Sequence, residues 1–317
     1  MIDKNSKIFV AGHKGMVGSA ICRALKSKEY NNLFFKTSKE LDLRNQESVY
    51  SYFKQNNFDL VIDAAARVGG IMANKNYPYQ FLMDNLQIQN NLISASHEND
   101  VKKFIFLGSS CIYPKFAEQP LREEYLLTAS LEPTNEWYAI AKIAGVKACE
   151  AIRAQYNKDF VSLMPTNLYG PFDNFDLETS HVLPAMIRKF HEAKLNNNQD
   201  LVLWGSGSPM REFLHVDDLA KAVLHALENV LPEHLYNVGT GLDLTIKHLA
   251  ETIQKVVGHN GNILWDSSKP DGTPRKLMDI SKLYNLGWRH EIELADGIEQ
   301  TYSWFLENVD KVKEVKM

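Results

Sequence analysis

The chain has 317 residues, 44% apolar and 23% charged, with a formal net charge of −4. Such a length exceeds a minimal domain and suits one large α/β unit with a smaller lobe. The charge supplies no positive field for nucleic acid or an anionic membrane surface, and without a run of about 18 apolar residues no membrane span is expected.

The polar start, Met1-Ile2-Asp3-Lys4-Asn5-Ser6, lacks the apolar core of a signal peptide. Residues 7–11 read as a buried strand ended by Gly12, and 19–26 as the helix that follows. A second strand is expected at 33–36, a helix at 47–55, a third strand at 60–65 and a long helix at 78–98. A fourth strand falls at 104–108, a second long helix at 137–156 and a fifth strand at 160–164. This alternation predicts a parallel sheet with helices on both faces, binding ligands beyond the carboxyl ends of its strands. Residues 165–175, rich in Pro, Gly and Asn, mark a lobe boundary. Beyond them come a helix at 182–193, a polar turn at 196–200, a strand at 201–204, a Gly/Ser loop at 205–209, a helix at 216–229 and a strand at 235–238. The lysine-rich end, 310–317, is expected to fray. The fold class is α/β, a Rossmann-type doubly wound parallel sheet with a smaller C-terminal substrate lobe. Residues 1–170 and 213–240 are assigned to the first unit, and 171–212 and 241–317 to the second. Cys22, Cys111 and Cys149 show neither metal-ligand spacing nor an even count. A reduced cytoplasmic protein without a metal is expected.

Gly12-His13-Lys14-Gly15-Met16-Val17-Gly18 lies between the first strand and its helix. Glycines let the backbone turn tightly and approach a pyrophosphate, whose charge the helix N-terminus favours. The spacing differs from the commoner Gly-x-Gly-x-x-Gly, and alone it is equally a tight turn; its position after a strand is the context that the fingerprint requires. The second strand ends Phe35-Lys36-Thr37-Ser38, without the acid that NAD-preferring sites place near the ribose. Lys14 and Lys36 are therefore candidates for a 2′-phosphate, the alternative being two solvated lysines. Asp42 is a candidate for the adenine edge or an ordinary surface acid.

Tyr138 and Lys142, four apart on a helix, share one face. A lysine charge beside a phenol favours the phenolate, so the tyrosine's pKa is expected to fall toward neutrality. Such a phenol can protonate a carbonyl as hydride arrives. Ser109, at the end of the fourth strand, can hydrogen-bond the same oxygen. If that strand continues, Cys111 points the same way as Ser109 and reaches the reacting carbon; the alternative is a small buried filler. His181, at the start of a helix, is a cap, a surface residue or a site group.

These residues are recognisable together. The glycine loop with Ser19-Ala20-Ile21, residues 64–71, Leu107-Gly108-Ser109-Ser110-Cys111-Ile112-Tyr113, residues 138–145 and 164–171, Trp204-Gly205-Ser206-Gly207, Arg211-Glu212-Phe213-Leu214-His215-Val216-Asp217-Asp218 and residues 269–276 resemble the GDP-L-fucose synthase family of extended short-chain dehydrogenases/reductases. The resemblance runs from about Lys7 to Asn308. It implies a GDP-sugar substrate, GDP-4-keto-6-deoxy-D-mannose, epimerised at C3 and C5 and then reduced at C4 by NADPH. It implies Ser109, Tyr138 and Lys142 as the hydride-transfer group, and Cys111 and His181 as the pair that moves protons during epimerisation. By the same resemblance the NADPH contacts are Gly12, His13, Lys14, Gly15, Met16, Val17 and Gly18, then Leu107, Gly108, Ser109, Ser110, Lys142, Pro165, Thr166, Asn167, Leu168 and His181. The GDP-sugar contacts are Lys189, Trp204, Arg211 and Asp271. Read without it, Trp204 is equally a lobe anchor and Arg211 a surface ion pair. Lys14 and Lys189 stand where many relatives carry arginine, which makes phosphate contact looser. The family pairs through its two long helices, so a homodimer is expected.

Two other readings are weighed. A 4,6-dehydratase needs an acid pair just after the strand-end hydroxyl, where this chain has Ser110 and Cys111; a simple 4-epimerase needs no pair like Cys111 and His181. A cofactor-sensing regulator with a dead site would have lost the tyrosine or the lysine.

Overall fold

Short uninterrupted apolar runs in the first half have the pattern of strands covered on both faces. The structure, a computed structural model, describes residues 2–269 and 271–312. In chain order the elements are β1 (Ile8–Ala11), α1 (Met16–Ser27), β2 (Leu33–Phe34), α2 (Gln46–Asn56), β3 (Leu60–Asp63), α3 (Ile71–Asn76), α4 (Pro78–Glu98), β4 (Lys103–Leu107), α5 (Glu136–Tyr156), β5 (Asp159–Pro165) and β6 (Asn167–Tyr169). There follow α6 (Val182–Leu195), β7 (Leu201–Trp204), β8 (Met210–His215), α7 (Val216–Glu228), β9 (Leu235–Val238), β10 (Asp243–Thr245), α8 (Ile246–Val257), β11 (Ile263–Asp266), β12 (Arg275–Lys276), α9 (Ser281–Asn285) and α10 (Leu294–Val312).

Six strands form one parallel sheet in the order β2-β1-β3-β4-β5-β9. Alternate residues face opposite sides. Ile8, Val10, Ile62, Ile105 and Leu107 pack with residues of α1 and α7. Phe9, Val61, Phe104, Phe106 and Phe160 pack with residues of α2, α4 and α5. The strand order reverses between β1 and β3, and such a switch point opens a crevice at the carboxyl edge. A third core, with Phe175, Ile187, Phe190, Leu203, Phe213, Leu249, Ile253 and Phe305, gathers α6, α8 and α10. Beside it β8 pairs antiparallel with β10 and parallel with β12 and β6, while β7 and β11 pair parallel.

Several expectations are corrected. The second strand stops at Phe34, so Lys36 lies in the loop after it. The first helix starts at Met16, three residues early. The 165–175 segment contains β6. The fourth strand ends at Leu107, so Ser109 and Cys111 do not share a strand face; a 3-10 turn over Ser110–Ile112 follows, and the Ser109 hydroxyl accepts from the Cys111 amide at 3.4 Å. Of the end expected to fray, helix α10 runs through 312 and residues 313–317 lie outside the described residues. Among the described residues, no helix is long and apolar enough to cross a membrane.

Candidate active site

β1 delivers the chain to Gly12, whose φ is +78° and where a Cβ would lie 2.5 Å from the Ala64 carbonyl oxygen. Only glycine fits both demands. The Gly15 amide closes the turn on the Gly12 carbonyl at 3.0 Å, and Gly15 then starts α1 without a side-chain cap. The first amides of a helix have no intrahelical partner and form an anion site. Gly18 lies against the Gly12 carbonyl, where a Cβ would collide with backbone; a Cβ on Gly15 would meet only the Gly12 oxygen, at 3.5 Å. This cradle fits a pyrophosphate. The His13 ring stacks on Phe35 at 4.8 Å, and burial, then Lys14, lowers its pKa. Lys14 is exposed, while Lys36 pairs with Glu40 at 3.6 Å. Asp42 takes two bonds from the Arg44 guanidinium, at 3.0 and 2.9 Å.

The end of β4 and the first turn of α5 meet. Lys142 is buried; its Nζ donates to the Leu107 carbonyl at 2.8 Å and lies 5.9 Å from the centre of the Tyr138 ring. Burial lowers its pKa, against Asp63 and Cys111. Asp63, at the end of β3, is buried; one oxygen accepts from the Ala65 amide at 3.1 Å and the other has no partner among the described residues. Burial pushes its carboxyl up to about 6, with Lys142 the first group opposing. The half-buried Tyr138 sits edge-on to Phe81 at 6.3 Å. Burial drives its phenol well above the ordinary range, Cys111 and Asp63 add to this, and a hydrogen bond with Ser109 opposes it. The expected fall toward neutrality is thus reversed: desolvation dominates, and the Lys142 ammonium is bonded to a carbonyl. The phenol is protonated at neutral pH, the form that donates. Cys111 is also buried, and burial raises its thiol against Lys276, the Ser109 bond and Lys142. Ser109, Cys111, Tyr138 and Lys142 therefore form one group.

His181 occupies the N-cap position of α6, but its side chain caps nothing. The residue is exposed, yet enough protein surrounds its ring that burial, then Lys276, lowers its pKa. Lys276 acts on both Cys111 and His181 and so ties the two together. It was not singled out from sequence, because a lysine in a two-residue strand carries no local signal. Its Cα partner on β8 is Arg211. The buried Glu212 sets that register, accepting the amides of Thr240, Gly241 and Met278 at 2.6, 2.8 and 2.9 Å. Its carbonyl takes Thr166 and Asn167 at 3.3 and 2.7 Å, which anchors the chain after Pro165, the last residue of β5; Leu168 is half-buried beside it. The Gly108 amide bonds the Leu163 carbonyl at 2.9 Å, and Ser110 is buried.

The four residues expected to hold the GDP-sugar fall into two groups. Arg211, bonded to the Met210 carbonyl at 2.7 Å, joins Lys276. Trp204 is 63% exposed at the end of β7, with Lys189 at 5.7 Å and Lys269 at 5.5 Å from its ring centre. Asp271 accepts the Ser206 amide and hydroxyl at 2.7 and 2.8 Å and so holds the loop after Trp204.

A glycine cradle at the switch point beside a Ser/Tyr/Lys group is a nucleotide-cofactor site, and the chain belongs to the NAD dependent epimerase/dehydratase family, whose model matches residues 8–239. Within it the chain is 59% identical over 309 residues to GDP-L-fucose synthase 1 of Arabidopsis thaliana, covering 98% of this chain and 96% of that protein. It is 55% identical over 317 residues to the GDP-L-fucose synthase of Escherichia coli strain K12, with 97% and 98% covered. A solved GDP-L-fucose synthetase from Naegleria fowleri bound to NADP superposes with a TM-score of 0.90 at 31% identity, over 98% of this chain and 95% of that one.

Proposed function

We propose that this protein converts GDP-4-keto-6-deoxy-D-mannose to GDP-L-fucose, by epimerisation at C3 and C5 and NADPH-dependent reduction at C4. One observation carries the reading: Ser109, Cys111, Tyr138 and Lys142 share electrostatic and hydrogen-bond contacts, with His181 joined through Lys276. Similarity to GDP-L-fucose synthases over nearly the whole chain supports it.

The C4 ketone acidifies the C–H bonds on either side. Of Cys111 and His181, one removes a proton and the other returns one to the opposite face. Ser109 and Tyr138 donate to the oxygen that carries the enolate charge. When bound, NADPH supplies the hydride for C4. Tyr138 holds the proton that ends on the C4 oxygen, and the ammonium of Lys142 favours its release. Residues 12–18 hold the pyrophosphate, Lys14 and Lys36 the 2′-phosphate and Asp42 the adenine. Leu107, Gly108, Ser110, Pro165, Thr166, Asn167 and Leu168 line the rest of the cofactor's path. Lys189, Trp204, Arg211 and Asp271 hold the GDP-sugar. We assign 1–170 and 213–240 to the cofactor domain and 171–212 and 241–317 to the substrate lobe. The exposed apolar side chains Tyr79 on α4 and Trp137 and Ile140 on α5 support a homodimer through those helices, and the three free cysteines a cytoplasmic location. A dehydratase would need acids at 110 and 111, where Ser and Cys stand.

Mixing the protein with NADPH and the keto-sugar tests the whole reading. GDP-L-fucose is the expected product; a reduced sugar that keeps its C3 and C5 configuration overturns the epimerase half. Tyr138→Phe is expected to slow NADPH oxidation by about 10²–10⁴-fold while GDP-sugar binding persists, and unchanged turnover removes Tyr138 from its role.

A further inference from the structure

The place of His181 is set by the backbone before it. Residues 174–180 are folded tightly on themselves. Asp176 accepts the amides of Glu178 and Thr179, at 3.0 and 2.9 Å, and the Thr179 hydroxyl at 2.8 Å. Asn174 donates to that hydroxyl at 3.0 Å, and the Ser180 amide bonds the Asp176 carbonyl at 3.1 Å. This folded loop is seated on the segment that follows β3. The Gly70 amide donates to the Thr179 carbonyl at 2.9 Å. A Cβ on Gly70 would lie 2.8 Å from the Ser180 oxygen, and one on Gly69 2.9 Å from the Ala73 Cβ and 3.3 Å from the Phe81 ring. The φ of Gly70 is −65°, a value open to any residue, so close approach rather than backbone freedom demands glycine there. Buried Asn74 clamps the seam by donating to the carbonyls of Gly69 and Gly70, at 2.9 and 3.1 Å.

We infer that the Gly69–Gly70 seam, clamped by Asn74, is a positioning element that sets the His181 ring against the reacting carbon and so governs proton transfer. The inference rests on the reading of His181 as half of the acid/base pair. A Cβ on Gly70 must push the Ser180 carbonyl away, and that carbonyl belongs to the peptide joining Ser180 to His181. Proton transfer requires heavy atoms about 2.6–3.2 Å apart, so a displacement of this kind acts directly on the rate.

The test is wash-in of solvent deuterium at C3 and C5 of the keto-sugar in the presence of NADP+, which isolates proton exchange from reduction. Gly70→Ala is expected to slow exchange by about tenfold or more, since misplacement by 1 Å costs about 10²-fold, a larger loss than any it causes in NADPH affinity. Asn74→Ala, which only removes atoms, is expected to slow it in the same direction and serves if Gly70→Ala fails to fold. In a His181→Asn background neither substitution should slow exchange further, because the group through which they act is gone. Wild-type exchange in both single variants, or the same fold-loss with and without His181, overturns the inference. No exchange in the unaltered protein overturns the functional reading, and this inference with it.

Discussion

Gly15→Ala separates cofactor binding from folding in a way that neither neighbouring glycine allows. Gly15 has φ −74°, and a Cβ there would find only the Gly12 oxygen, at an ordinary 3.5 Å. Two small effects on stability oppose each other: alanine is a poorer N-cap than glycine by about 0.5–1 kcal/mol, and it restricts the unfolded chain by about 0.4–1 kcal/mol. The net change should be near zero. Binding has no such compensation. The added methyl occupies the face over which the pyrophosphate must approach the α1 amides, and each lost bond to a charged group costs about 1.5–3 kcal/mol. That is about 10- to 10²-fold in Kd per bond. Gly18→Ala is the contrast, since its Cβ falls on the Gly12 carbonyl and the fold should lose about 1–3 kcal/mol. NADPH fluorescence titration and urea unfolding read the two quantities. Wild-type NADPH affinity in Gly15→Ala, or unfolding as severe as in Gly18→Ala, refutes the cradle.

Cys111→Ser should slow deuterium wash-in at C3 and C5 more than it alters cofactor binding; exchange at the normal rate makes Cys111 structural. The pH profile of that exchange should be a plateau, because His181 titrates below its ordinary 6.5 and Cys111 above its ordinary 9.0. Transfer needs one proton on the pair, and the singly protonated forms rise and fall together, so the limbs are the same whichever group is the base. A limb inside the interval from 6.5 to 9.0 contradicts this. Asp63 titrates at about 6 rather than 3.8, so the folded state holds its proton more tightly than the unfolded chain. Stability is full below 3.8 and falls as pH rises to about 6, by roughly 3 kcal/mol in all. Asp63→Asn should therefore raise the urea midpoint at neutral pH and flatten that slope; a lower midpoint removes the argument.

The first half of the fold was legible because its parallel strands, covered on both faces, are plain apolar runs. Helix α4 and strands β7 and β9 have the bounds read from sequence. Elements after residue 238 have no counterpart in the expectation, although α8 carried its signal openly. Thr245 caps it through the His248 amide, Leu249, Ala250, Ile253 and Val257 form its buried face, and Gly258 ends it in the left-handed conformation. β8 was hidden for a better reason. Met-Arg-Glu-Phe-Leu-His does not alternate as a strand should, because Glu212 is buried to bind three amides rather than to pack. That Ser109, Tyr138 and Lys142 come together was readable from position and spacing. The turn that carries Cys111 was not, since a strand end and a 3-10 start differ by one hydrogen bond. Lys276 reaches the site only through pairing across the small sheet, which no local pattern records.

The site divides its electrostatic work in two. Burial lowers the pKa values of Lys142, Lys189, Arg211 and Lys276. Asp63 and Cys111 offset this for Lys142, and Cys111 and Glu132 for Lys276, while among the described residues no group offsets it for Lys189 or Arg211. Arg211 and Lys276 are moreover cross-strand partners of like charge, an arrangement that destabilises a sheet. The Glu212 carboxylate, bound to three backbone amides, holds that register in spite of the repulsion. On the proposed function a diphosphate would relieve this surplus, whereas a free sugar of the same shape would leave the cations unpaired, so charge would select the nucleotide handle. Around the position proposed for the ketone the balance is opposite. Desolvation keeps Tyr138 and Cys111 protonated and His181 uncharged. On the proposed function, one uncharged partner can then take a proton from carbon while the other supplies a different proton to the opposite face, and Tyr138 gives its own to the C4 oxygen.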